Sequence, residues 1–151
     1  MRTVKNILDN KNKVANQVAP DTLVIDALKQ LNSVNLSYLI VMHGAEYKGI
    51  FSEREYSRNV ILKGRHSSST RVEEVMATDL PEVILSDTVE HCMNVMNINK
   101  TRYLIAFNAN HEFAGVITIH DLLRQVIANK EGVFDHAAQQ LIDHDESGDI
   151  Y

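Results

Sequence analysis

One cysteine, Cys92, is all that the 151 residues contain. No intramolecular disulfide can form, and a reducing, intracellular setting is the expected one. Long uncharged apolar runs are also missing, so the sequence supports no transmembrane helix. The opening Met1-Arg2-Thr3-Val4-Lys5-Asn6 is too polar for an export signal, and a soluble, cytoplasmic domain is expected. Basic charge is scarce: 15 Lys and Arg against 20 Asp and Glu leave a net charge of −5. That balance argues against a nucleic-acid binder working through a broad basic face. Neither a nucleophile–base arrangement nor a phosphate-binding P-loop is present, so no enzyme is expected. His136, Asp143, His144, Asp145 and Glu146 gather near the end, but no spacing matches a zinc motif and no metal is expected.

What the chain does contain is the same pattern twice. Gly49-Ile50-Phe51-Ser52-Glu53-Arg54-Glu55-Tyr56-Ser57-Arg58 aligns with Gly115-Val116-Ile117-Thr118-Ile119-His120-Asp121-Leu122-Leu123-Arg124, 66 residues on (115 − 49). Upstream, Tyr38-Leu39-Ile40-Val41 aligns with Tyr103-Leu104-Ile105-Ala106 at an offset of 65 (103 − 38). An extra residue in the second hairpin, around Asn108-Ala109-Asn110, accounts for the change. Val24, Ala27, Leu28 and Leu31 match Val89, Cys92, Met93 and Met96, and their i, i+3, i+4, i+7 spacing marks the buried stripe of an amphipathic helix. Asp21-Thr22 and Asp87-Thr88 stand where helix caps belong. The lead-ins match as well, Val4-x-x-Ile7-Leu8 with Val72-x-x-Val75-Met76.

An internal repeat fixes the architecture before any other feature. Each copy reads as a lead-in, a helix, a hairpin and a second helix. The fold class expected is α/β (α+β), with two units of one small sheet and two main helices each. Packing about a pseudo-twofold axis would bury both apolar sheet faces. The first unit spans 1–64, with Gly64 closing its last helix. A polar linker covers 65–71, the second unit 72–131, and a C-terminal helix with a mobile tail 132–151.

The strand-to-helix junctions carry the chemistry. A helix start exposes unpaired N–H groups and a partial positive charge, and so favours anions such as phosphate. Ser52 and Thr118 supply a hydroxyl at the cap, and Glu55 and Asp121 a carboxylate three residues on. A carboxylate in such a place accepts the two hydrogen bonds of a ribose diol. Arg54 and His120 stand just before the carboxylates, and Arg102 precedes the second central strand, from where it offers a guanidinium from the opposite unit. Together these fit a nucleotide. The same residues also spell capping boxes, in which the acidic side chain bonds back to the cap N–H. On the residues alone both readings stand.

Duplicated after helix and hairpin, the pattern Gly-h-h-Ser/Thr-x-x-Asp/Glu resembles a tandem CBS-domain pair, or Bateman module, over about residues 4–130. The stretch from Phe51 to Gly64 and Val72-Glu73-Glu74-Val75-Met76 are similar to stand-alone two-CBS proteins of bacteria and plant organelles. The resemblance implies a regulatory module that binds an adenosine ligand, AMP first, with ATP, ADP or NADH as alternatives. It further implies a sensor of energy or redox state, a homodimer, and a separate regulated protein, with no membrane or nucleic-acid partner. Matched by motif, phosphate and ribose roles fall on Thr118 and Asp121 in one site and on Ser52 and Glu55 in the other. Glu55 stands where the family has Asp, so the resemblance favours the Thr118/Asp121 site. The alternative it allows is a dimerisation or protein-interaction module that binds no ligand.

Overall fold

Tyr38, Leu39, Ile40, Val41 and Met42 follow one another without a polar break and are all buried, the pattern of a central strand covered on both faces. The structure, a computed structural model, describes residues 2–11, 15–34 and 37–128. The expected C-terminal helix and tail, with their histidine and acidic residues, lie outside the described residues. The central strand β2 (Tyr38–His43) pairs antiparallel with β3 (Glu46–Ser52). On its other side it pairs in parallel with a two-residue strand β1 (Gln17–Val18), which precedes the helix α2 (Val24–Val34). The second copy repeats this. A short β4 (Glu82–Ile84) runs parallel to β5 (Tyr103–Phe107), and β5 is antiparallel to β6 (Phe113–Thr118). Helix α4 (Val89–Asn99) connects β4 to β5. The result is two three-stranded sheets, ordered β1-β2-β3 and β4-β5-β6. The sequence predicts the hairpins and helices but not β1 and β4, which are too short to show a period of two.

The helix stripes form as expected, with Val24, Ala27 and Leu31 buried in one copy and Cys92 and Met96 in the other. Thr88 caps α4 by accepting a hydrogen bond from the His91 N–H. Met93 departs from the stripe and stands 38% exposed. After β3 the chain makes one α-turn, α3 (Glu53–Glu55), and continues as a π-helix over Tyr56–Ile61. The Leu62 N–H reaches back five residues to the Ser57 carbonyl, and Arg65 to that of Val60. Gly64, with φ +70°, ends this segment in the left-handed region that glycine enters without strain. The matching helix in the second copy, α5 (Ile119–Ala128), is regular.

The lead-ins cross over. The first lead-in forms α1 (Val4–Asn10), and its Val4 and Ile7 are buried in the core of the second copy with Leu104, Ile117 and Leu122. The second lead-in, a 3-10 turn over Val72–Glu74, places Val72 and Val75 in the core of the first copy with Leu39, Phe51 and Val60. Backbone contacts repeat the exchange: the Val4 N–H donates to the Asp87 carbonyl, and the Val72 N–H to that of Thr22. Thr3 bridges to Thr88, and Leu23 to Arg71. The hairpin glycines explain why the fit is close. A Cβ on Gly49 would lie 2.7 Å from the Ala77 carbonyl oxygen, and one on Gly115 2.8 Å from the Leu8 side chain.

In space, then, the chain divides differently from the order of its repeats. Among the described residues, one compact unit holds 2–11 with 80–128, and the other 15–34 with 37–79. Residues 65–71, expected as a polar linker, are tied to the start of α2. Val24 and Ile25 N–H groups donate to the Thr70 and Ser67 carbonyls, and Thr70 is buried.

Candidate functional site

Strand β6 leaves the sheet at Thr118, and α5 begins at the next residue. Its start is closed by a reciprocal pair of hydrogen bonds. The Asp121 N–H donates to Thr118 Oγ1 at 3.3 Å, and the Thr118 N–H donates to Asp121 Oδ2 at 2.9 Å. This is the capping box that the sequence allows, and both side chains are buried. The box is not all that holds the carboxylate. Lys11, just past the end of α1, donates from Nζ to Asp121 Oδ2 at 2.9 Å and to the Val116 carbonyl at 2.9 Å. Arg124 Nη1 stands 3.7 Å from Asp121 Oδ1, one turn along α5. Burial of a carboxylate is costly unless it is paired and hydrogen-bonded, and here two cations and a backbone N–H share that task.

The other named residues differ in exposure. His120 is buried, whereas Arg54, at the same place in the first copy, is exposed. An identical slot in the motif thus presents different surfaces. Arg102 lies beside the junction of its own unit, where its carbonyl accepts from the Ile119 N–H at 3.0 Å.

The junction of the first copy is built differently. Ser52 caps the short α3 by accepting from the Arg54 N–H at 3.2 Å, while its own hydroxyl donates to Glu55 Oε1 at 2.6 Å. Burial pushes the Glu55 carboxyl above its ordinary range; hydrogen bonds from Ser52 and the charge of Arg54 act against this without cancelling it. Longer by one methylene than Asp121, Glu55 folds onto the serine hydroxyl.

Sequence reasoning missed Lys11. A signal exists: the lead-in alignment, carried past Leu8/Met76 at an offset of 68 (72 − 4), reaches Lys11 opposite Asp79. What it lacks is the exchange, which brings the first lead-in to the second junction. Cys92 is buried as expected, and burial, with Asp87 nearby, pushes its thiol up to about 11. Among the described residues no group of three His, Cys, Asp or Glu side chains could hold a metal ion. No helix among them is long and apolar enough to cross a membrane.

Known proteins share this fold. The family model for the CBS domain matches residues 72–128. A CBS-domain protein of Burkholderia ambifaria is 32% identical, with 87% of this chain and 98% of that one covered and a TM-score of 0.77. The chain belongs to the CBS-domain proteins. That coverage extends well beyond residues 72–128, and with the repeated sheets it makes the chain a CBS pair. The mitochondrial CBS domain-containing protein CBSX3 of Arabidopsis thaliana is 29% identical over 134 residues, 83% of this chain. The chain spans 65% and 66% of the lengths of the curated relatives it matches. CBSX2, crystallised in complex with AMP, shares the CBS-pair fold at 22% identity, with a TM-score of 0.66 over 83% of this chain and 96% of that one.

Proposed function

We propose that this CBS pair is a regulatory module that binds an adenine nucleotide at the Thr118–Asp121 junction and signals its occupancy to a separate protein. One observation carries the reading: a buried carboxylate, a cap hydroxyl and a lysine ammonium meet at the start of a ten-residue helix. Asp121 would take the ribose hydroxyls, and Thr118 with the first N–H groups of α5 the phosphate. Arg102 and His120 flank this junction. The AMP complex of CBSX2 supports the ligand class. AMP is the first candidate, then ADP, ATP and NADH, which makes the module a sensor of energy or redox state. Ser52, Arg54 and Glu55 form the second, weaker site, because the Ser52 hydroxyl already donates to Glu55. The role is regulatory rather than catalytic, and the single buried Cys92 suits a cytoplasmic setting.

A thermal-shift screen of the purified chain with AMP, ADP, ATP, NADH and S-adenosylmethionine tests this. Ligand at a hundred times its dissociation constant stabilises the native state by about 2.7 kcal/mol. That corresponds to a rise of roughly 5–10 °C for a protein of this size. A flat response to every nucleotide would overturn the reading.

A second reading rests on a different observation. Met93 and Ile98 on α4 and Leu123 on α5 are large, apolar and exposed, Ile98 by 77%. They suit the apolar centre of a homodimer interface. Light scattering that gives the mass of a dimer with no ligand present, together with a flat nucleotide screen, would favour a pure interaction module.

A further inference from the structure

We infer that Lys11 is the charge selector of the Thr118–Asp121 junction, admitting adenosine ligands that carry phosphate and disfavouring those that do not. The inference rests on the nucleotide-binding reading above. Asp121 Oδ2 already accepts from the Thr118 N–H and from Lys11 Nζ, each at 2.9 Å. An oxygen so occupied has little capacity left, and Arg124 stands over the other oxygen. A ribose diol donating to this carboxylate must therefore displace Lys11 or share its acceptor. The displaced ammonium loses part of its counter-charge in a half-buried place, where its side chain is 27% exposed. A phosphate on the same ligand replaces that counter-charge, and the flexible four-carbon stem lets the ammonium swing to it. Adenosine offers no such replacement. S-adenosylmethionine brings a sulfonium cation and makes the situation worse.

The first copy supplies an internal contrast. At the same count along its lead-in stands Asp79, which is exposed. The first lead-in's lysine thus has an acid as its counterpart in the second lead-in.

The experiment compares the affinities of AMP, adenosine and S-adenosylmethionine for the full chain and for Lys11→Met and Lys11→Arg, by calorimetric titration. The wild type should prefer AMP over adenosine. Lys11→Met should lower that ratio by about tenfold, the loss expected for one hydrogen bond to a charged group. Lys11→Arg should keep most of the preference. Lys11→Gln replaces the methionine variant if that does not fold. An AMP-to-adenosine ratio equal in wild type and Lys11→Met overturns the selector role while leaving the nucleotide site standing. Wild-type protein that binds neither ligand overturns the site, and the selector with it.

Discussion

Glu55 keeps its carboxyl in a buried place where the Ser52 hydroxyl donates to it at 2.6 Å. Burial favours the protonated form and raises its pKa above the ordinary 4.5. A carboxyl raised by folding adds stability that is fully present below the unfolded value and fades as pH climbs through the folded one. Glu55→Gln should therefore melt higher than wild type at pH 7.5, with the gap closing toward pH 4. Equal differences at both pH values would show that the glutamate is not strained by its burial. Cys92 offers a second check at this scale. With its thiol pushed up to about 11 and its side chain enclosed, it should resist alkylation at pH 8 in the native state and react on unfolding. Rapid native labelling would contradict its place in the core.

At the level of elements, the sequence was most readable where a pattern ran long. The stripes of α2 and α4, Met93 aside, and the apolar runs of β2 and β5 repeat at a constant offset and fold as they read. The parallel strands β1 and β4 escaped notice because two or three residues carry no period, although Val18 and Val83 stand at the same offset as their neighbours. The lead-ins match as a pair in sequence, but their exchange does not show there, since linear order holds no record of which hairpin a segment will reach. Three residues have roles that only the exchange explains. Gly49 and Gly115, the first residues of the repeated motif, are contact points for a passing segment, and Lys11 is the partner of Asp121. Gly49→Ala tests the packing directly. Its new methyl group would face the Ala77 carbonyl at 2.7 Å, and backbone yields less readily than a flexible side chain. A loss of about 1–3 kcal/mol in urea unfolding is expected. A neutral substitution would mean that the lead-in is held loosely.

For the whole molecule, the exchange separates the repeat as written from the unit as folded. A fragment covering 13–79 keeps Val72 and Val75 with the core they complete, whereas a fragment covering 1–71 lacks both. Burial of two valines is worth about 3 kcal/mol or more, so the first fragment should unfold at the higher urea concentration. The reverse order would refute the division into units. The same exchange gives the functional account its logic, because the segment that carries Lys11 is the one that touches the proposed ligand carboxylate. On the proposed reading, a nucleotide that takes Asp121 would compete with Lys11 and so act on the lead-in, the signal proposed for a partner protein. The measurement that bears most directly on this is calorimetric titration of AMP into the wild type and into Asp121→Asn. The asparagine still accepts the Thr118 N–H, so the helix start is preserved while the charge is removed. The account predicts AMP binding by the wild type and a loss of about ten- to a hundredfold in the variant, the worth of a charged hydrogen bond. Equal affinities in the two proteins would contradict it, leaving Asp121 as a helix cap and nothing more.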